Sequence, residues 1–335
     1  MKLQIIYPFF LSFVNYKKFM SKLDIIMYHY VRSINYTSYK KLKFLNLSSF
    51  RKQLDFFRDN FNILDPSILI NKQKKIPNKS CILTFDDGYK DHIDFVLPEL
   101  KKRKLKGIFF PTGITTFENK MLDTNLIQHI LSVCKSKRKL KNEIKILCNQ
   151  NKISDKLFNE KYHLYSRNPN SNSKSPRNRY DDPDTIFIKR LLQFGLKKSL
   201  RKNIINTLFN RYIKTSQTQF SKNFYMNDND IKKLLDEEML IGSHTYNHVW
   251  LGYLSKTEQE KEIKMSLDFL NYFQISDKNW VMCYPYGSYN NDTLKLLKKY
   301  NCSSALTTKS AKANLDIKDM IYELPRRDTN DFKNF

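Results

Sequence analysis

Short apolar runs alternate with amphipathic stretches along both ends of this 335-residue chain. Leu23 to Val31 (LDIIMYHYV) is dense in β-formers and predicts a buried strand. Leu47 to Phe61 sets Phe50, Leu54, Phe57 and Phe61 at helical spacing, with Ser48 or Ser49 as the N-cap. Ser80 to Phe85 (SCILTF) predicts a strand that stops abruptly at Asp86-Asp87-Gly88. Helical periodicity over Asp91 to Leu105 leads to a strand over Gly107 to Pro111, and a capped helix over Asp228 to Glu238 leads to a strand over Met239 to Ser243. Ser255 to Phe273 reads as a long amphipathic helix opening on Ser255-Lys256-Thr257-Glu258, a capping-box pattern. Trp280 to Tyr284 then predicts a strand, Asn291 to Tyr300 a helix and Ser303 to Thr308 a further strand. Repeated β-then-α units make the fold class α/β, built on a parallel sheet that is either open or closed into a barrel.

Between about Thr115 and Tyr225 the rhythm breaks. The stretch is rich in Lys and Asn, has helical patterns at both ends, and holds a polar low-complexity piece from Ser166 to Asp184. It is expected to be a large, mainly helical insertion, residues 116–225, either a lid with a mobile loop at its centre or a surface excursion without a role. At the N-terminus, Ile5 to Val14 is apolar and follows Lys2, but it is too short to span a bilayer and no small-residue cleavage site follows. Residues 1–22 are therefore expected to be an apolar, basic leader lying on a surface, in preference to a secretory signal, and Met20 is an alternative start. The remainder, 23–335, reads as one domain interrupted by the insertion.

A hydrophobic fraction of 41% with 14% aromatic residues argues against disorder. The net charge of +26 comes nearly all from Lys spread along the chain. That is either a solvated basic surface or a weak attraction to anionic lipid or phosphate-bearing substrates. Nothing resembles a helix-turn-helix, zinc finger or RNA-binding signature, so nucleic acid is not an expected partner. The five cysteines, Cys81, Cys134, Cys148, Cys283 and Cys302, are scattered without a CxxC pair. They read as buried free thiols in a reducing compartment, which gives an expected cytoplasmic location, while the basic surface and the leader leave peripheral contact with an anionic membrane open. The sequence leaves the oligomeric state open.

The chemistry concentrates at two predicted strand ends. Asp86-Asp87 closes one strand, and His244 and His248, four residues apart in GSHTYNH, follow another. Two imidazoles and one carboxylate are a usual catalytic zinc set with positions left for water and substrate. The spacing resembles the two histidines of HExxH proteases, but Thr245 stands where that motif has its Glu base. The base must come from elsewhere, and Asp86 is the candidate if Asp87 ligates the metal.

Thr84-Phe85-Asp86-Asp87-Gly88 together with His244-Thr245-x-x-His248 resembles the first two motifs of the NodB-like polysaccharide deacetylases, carbohydrate esterase family four. The resemblance covers about Leu23 to Thr115 and Tyr225 to Thr329. It implies a distorted (β/α)7 barrel, Asp86 as base, and Asp87, His244 and His248 as ligands of one divalent metal, Zn2+ in preference to Co2+ or Ni2+. Tyr284-Pro285-Tyr286-Gly287 resembles the groove-lining third motif, with a backbone N–H near Tyr286 expected to face the oxyanion. The usual Arg of that motif is absent, and either Arg326 or Arg327 in Leu324-Pro325-Arg326-Arg327 orients Asp86, or both lie on the surface.

No histidine follows His248, so the family's usual Leu-x-His acid is missing. In the circularly permuted poly-N-acetylglucosamine deacetylases the acid comes from an N-terminal Tyr-His strand, which Met27-Tyr28-His29-Tyr30-Val31 resembles. His29 is thus the expected general acid, with a core histidine as the alternative. His92, His129 and His163 are expected to be structural or exposed. Tyr28, Tyr30, Tyr284, Tyr286 and Trp250 are candidate sugar-stacking walls, at least half of them expected to be core instead. The implied activity is metal-dependent removal of an N-acetyl group from a sugar of a polysaccharide, oligosaccharide or glycan precursor. A deformylase of a lipid-linked aminosugar and a catalytically silent carbohydrate-binding protein are the rival readings.

Overall fold

The computed structural model of the protein describes residues 22–36, 39, 41–71, 76–166, 181–317 and 320–332. The expected leader, apart from Lys22, and the low-complexity centre at 167–180 lie outside the described residues.

Four parallel strands form the heart of the sheet: β1 (Lys22–Tyr28), β2 (Ser80–Asp86), β3 (Ile108–Phe110) and β4 (Leu240–Ile241), paired in that order. β5 (Trp280–Cys283) and β6 (Cys302–Leu306) form a second parallel pair. Single-residue parallel bridges join Ser243 to Met282 and Leu306 to Leu324. A two-residue strand, β7 (Arg327–Asp328), returns in parallel to Ile26 and Met27 of β1. Pairing therefore passes from β1 through each strand in turn and back to β1. β2 is buried along its whole length, and β1 at every residue except Lys22. Burial on both faces is why these segments read as continuous apolar runs without alternation.

Helices α1 (Leu47–Asn60) and α2 (Leu97–Lys102) pack on this sheet, with Phe50, Leu54, Phe57 and Leu100 in its main core. Some boundaries differ from the sequence expectation for local reasons. β1 stops at Tyr28, and Val31–Arg32 pairs instead with Leu45–Asn46. The N-cap of α1 is Asn46, whose side chain accepts from the Ser48 N–H, and not a serine. The single helix expected over Asp91 to Leu105 is a wide π-turn, His92–Val96, running into α2. Pro98 in the first turn of α2 has no N–H to give, so the regular ladder cannot pass through it.

The described residues between Gly113 and Phe224 are mainly helical: α3 (Gly113–Glu118), α4 (Asp123–Val133), α5 (Lys137–Gln150), α6 (Asp155–Ser166), α7 (Pro183–Arg190), a wide turn at Leu191–Gly195, α8 (Lys198–Ile213) and α9 (Gln217–Phe224). These helices share a core of their own around Leu126, Ile130, Ile144, Phe187 and Leu208. α10 (Asp228–Asp236), α11 (Lys256–Tyr272) and α12 (Asn291–Lys299) complete the alternation. The Ser255 and Glu258 side chains cap α11 reciprocally, as the sequence predicts. Among the described residues no helix is long and apolar enough to cross a membrane. All five cysteines are buried and free.

Candidate active site

The site is assembled where strand ends turn sharply. Asp87, Thr245, His248 and Tyr286 all have positive φ, between 53° and 73°, which is uncommon outside glycine. Such backbone is held where the surroundings over-determine it, and four of the thirteen positive-φ non-glycine residues among those described lie around one cleft. Gly88 continues the turn after Asp87 at φ 68°, and a Cβ there would meet Pro111 at 2.9 Å. The effect is to throw two adjacent carboxylates into different environments.

Asp87 is turned towards the histidines. The Nε2 atoms of His244 and His248 each lie 3.2 Å from its Oδ1. That oxygen is buried and makes no hydrogen bond within the described structure. His244 Nδ1 is 2.7 Å from the Cys283 carbonyl; a carbonyl only accepts, so Nδ1 carries a proton and Nε2 is the nitrogen turned to Asp87. One carboxylate oxygen and two imidazole nitrogens thus converge, a donor set that fits a small divalent cation. Asp86, His244 and Cys283 also lie close together. In that group, however, both Asp86 oxygens are taken by an arginine, and the Cys283 thiol points at Asp86 Oδ1 from 3.6 Å.

That arginine is Arg326. It is 1% exposed and forks onto Asp86 with Nη1 to Oδ1 at 2.8 Å and Nη2 to Oδ2 at 2.7 Å. It is itself held by the Thr307 carbonyl and Thr84 Oγ1. Burial alone would raise the Asp86 carboxyl, but the guanidinium overrides it and holds the group well below the usual carboxylate range. Of the two arginines singled out in the sequence, only this one reaches the site. Arg327 faces the other way, as successive residues of an extended chain do, and pairs with Asp24. The surface placement considered for Arg326 is therefore corrected.

His29 follows the end of β1, with Nε2 3.7 Å from Asp86 Oδ2 and its side chain 31% exposed to the cleft. It is not a core histidine. Its carbonyl accepts from Nε2 of His92, which is wholly buried and pushed down to about 4 by that burial, so His92 is a neutral donor fixing the His29 backbone. His129 is likewise buried, within the helical segment, and His163 is exposed.

The cleft above these groups has a volume of about 600 Å³. Trp250 and Tyr286, stacked at 4.2 Å and 8°, form one wall. Thr124, Gln128, Tyr165 and Phe194 of the helical segment form the other, with the Phe194 ring 5.1 Å from Trp250. Several expected wall residues are elsewhere. Tyr28 stacks on Phe85 in the core, and Tyr284 is buried with its hydroxyl on the Tyr322 carbonyl, because its side chain faces inward while Tyr286 faces the cleft. Tyr30 is buried in a polar network with Asn125 and Gln128. Pro285 is buried, and the Gly287 N–H closes a turn onto the Tyr284 carbonyl, so it does not serve an oxyanion. Gly287 is required there because its φ is 69° and a Cβ would meet Thr308 Oγ1 at 2.4 Å.

Sequence reasoning missed Tyr89, Asn125 and Phe194. Only Tyr89, two residues beyond Asp87, stood close enough to a motif to be noticed.

Residues 73–140 and 195–305 match the family described as polysaccharide deacetylase. The chain belongs to that family. Over 97 residues it is 33% identical to the putative polysaccharide deacetylase YxkH of Bacillus subtilis, a match covering 28% of this chain. It spans about a third of that curated relative, 33% of its length. The fold resembles the Streptococcus pyogenes deacetylase PplD, solved in complex with acetate, at TM-score 0.54 and 18% identity over 92% of each chain. It also resembles a polysaccharide deacetylase from Bacillus cereus, at TM-score 0.51 and 16% identity over 92% of this chain and 65% of that one. The matched family segments contain Asp86, Asp87, His244 and His248 but neither His29 nor Arg326. Residues 141–194, which include Tyr165 and Phe194, are also unmatched.

Proposed function

We propose that this deacetylase-family protein is a metal-dependent hydrolase that removes the N-acetyl group from a sugar of a polysaccharide, oligosaccharide or glycan precursor. One observation carries the reading: a buried carboxylate oxygen of Asp87 with no hydrogen bond, faced at 3.2 Å by Nε2 of His244 and by Nε2 of His248. Two imidazoles and one carboxylate favour Zn2+ and leave positions free for water and substrate. Bound there, the ion would polarise an amide carbonyl and acidify water.

The chain's own groups supply the rest. Asp86, kept ionised by Arg326, takes the proton of the attacking water. The same pairing makes Asp86 a weak base, suited to a water that an ion held by Asp87, His244 and His248 would acidify. His29, across the cleft floor, gives a proton to the departing sugar amine, which leaves poorly as an anion. The Trp250–Tyr286 stack offers an apolar face to a sugar ring.

The circuit of strand pairing, with its single-residue joints, supports a distorted (β/α)7 barrel. An acid placed ahead of the Asp motif in the chain supports the permuted branch.

The test is metal analysis of purified protein together with acetate and formate release from N-acetylglucosamine oligomers and from lipid-linked and nucleotide-linked sugars. His244→Ala with His248→Ala is expected to lose both metal and activity, and unchanged metal content would sink the reading. Asp86→Asn and His29→Ala are each expected to lower the rate by about 10²–10⁴. Full activity in His29→Ala would remove the acid assignment alone.

A further inference from the structure

We propose that Tyr89 and Asn125 are positioning residues that preset Asp87 for its metal, so that the helical segment holds one side of the metal site. This rests on the metal reading of Asp87, His244 and His248. Tyr89 is 1% exposed, and its hydroxyl lies 2.5 Å from Asp87 Oδ2, the oxygen turned away from the histidines. Asn125, on α4 of the helical segment, is 0% exposed, with Nδ2 2.9 Å from the same hydroxyl and 2.5 Å from that of Tyr30.

The proton directions in this network are forced. The Leu122 N–H donates to the Tyr225 hydroxyl, which must then donate to Asn125 Oδ1. That fixes the amide orientation and leaves Nδ2 as a donor towards Tyr89. Since Nδ2 cannot accept, the proton of Tyr89 goes to Asp87 Oδ2. The Tyr30 hydroxyl similarly accepts from Nδ2 and donates to Gln128 Oε1 at 2.7 Å. One branch runs from the Leu122 N–H through Tyr225, Asn125 and Tyr89 to a single oxygen of Asp87, and a side branch through Tyr30 ends on Gln128.

With Oδ2 satisfied, Asp87 has one oxygen left to ligate, already aimed by its left-handed backbone. Without the Tyr89 hydroxyl, Oδ2 is a buried anionic oxygen lacking its donor, and the carboxylate gains a reason to rotate away from the histidines. Partners that orient a ligand in this way typically change metal affinity by about 10–100-fold when removed.

The experiment measures Zn2+ affinity of the metal-stripped full chain by competition with a chromogenic chelator, with the thermal midpoint of the stripped protein in parallel. Tyr89→Phe keeps the ring and removes only the hydroxyl. Asn125→Asp keeps the shape and the acceptor but replaces the donor nitrogen. Both are expected to weaken Zn2+ by about 10–100-fold. Tyr322→Phe, which removes a hydroxyl bonded to the Cys302 carbonyl with no path to Asp87, is expected to lose a comparable amount of stability and keep its affinity. Wild-type affinity in Tyr89→Phe overturns this inference alone. A wild-type protein that binds no Zn2+ overturns the metal reading, and this inference with it.

Discussion

The strands and the helices from Gly113 to Phe224 face one another across the cleft and are built on opposite plans. On the strand side the backbone is forced into left-handed turns, a buried carboxylate is locked to a buried guanidinium, and two imidazole nitrogens converge on a second buried carboxylate. The helical side is a set of amphipathic helices around its own apolar core, and it turns Thr124, Gln128, Tyr165 and Phe194 to the cleft together with Lys189 and Arg190, whose charged groups bond to Asp181 and the Tyr165 carbonyl. Charge that drives a reaction must be buried and held in place, whereas a wall need only have the right shape. Changes on the strand side should therefore act on rate and stability, and changes on the helical side on binding, with Asn125 as the crossing point.

The sharpest break in that comparison would come from Arg326. Arg326→Ala leaves the Asp86 carboxylate buried without its partner, and is expected to destabilise the protein by about 3–5 kcal/mol. A rate loss on the order of 100-fold should accompany it where folding survives, since the base is no longer oriented. Denaturant unfolding with steady-state kinetics on the same samples checks both. The adjacent Arg327→Ala removes one of two cations on the buried Asp24, which keeps Lys312 at 3.3 Å, and should cost less stability than Arg326→Ala and leave the rate alone. Equal effects at the two positions would contradict the division of roles.

A second comparison sets one histidine from each side against the other. His92 on the strand side donates to the His29 carbonyl, and His129 on the helical side to the Asn125 carbonyl; burial pushes both down to about 4. Each is neutral when folded but takes a proton near 6.5 when unfolded, so stability is lost as pH falls from about 6.5 towards 4, roughly 2 kcal/mol per histidine by pH 5. Asp91 acts oppositely. Burial beside Arg32 raises it to about 6, so its contribution is present at low pH and lost as pH rises through 6, offsetting roughly one histidine. These three groups together should lower the unfolding free energy by about 2 kcal/mol from pH 7 to pH 5. His92→Gln and His129→Gln should each flatten that slope by a similar amount, and an unchanged slope in either would remove it from the account.

The same contrast explains what the sequence disclosed. β2 and its terminal Asp86-Asp87-Gly88 were legible because a strand buried on both faces is a continuous apolar run and its end is marked by polar residues. His244 and His248 were legible because their four-residue spacing is local. Arg326 was not resolved from Arg327, because its partner lies 240 residues away and the strand that places it is two polar residues long. Tyr284 and Tyr286 could not be told apart without the turn that sends one ring inward. On the helical side Asn125 and Phe194 carry no local mark at all. An amphipathic helix looks the same whether its neighbour is solvent or a cleft, and only the packing of α4 and of the turn after α7 brings these residues to the site.

The smallest effect is expected at Phe194, and it tests the contrast from the helical side. Its ring sits on the wide turn Leu191–Gly195, 5.4 Å from Tyr165 and 5.1 Å from Trp250, near Tyr253 at 5.8 Å. Gly195 is what lets Tyr165 close against this turn, since a Cβ there would meet the Tyr165 ring at 2.6 Å. Aromatic contacts of this kind contribute about 0.5–1.5 kcal/mol beyond their buried area. Phe194→Ala should therefore raise KM by roughly three- to tenfold on an oligosaccharide substrate while kcat stays within about twofold, the pattern of lost uniform binding. Phe194→Tyr, which retains the ring, should restore most of the affinity. A fall in kcat at unchanged KM would instead place the helical segment within the chemistry, and the division between a reacting side and a shaping side would not hold.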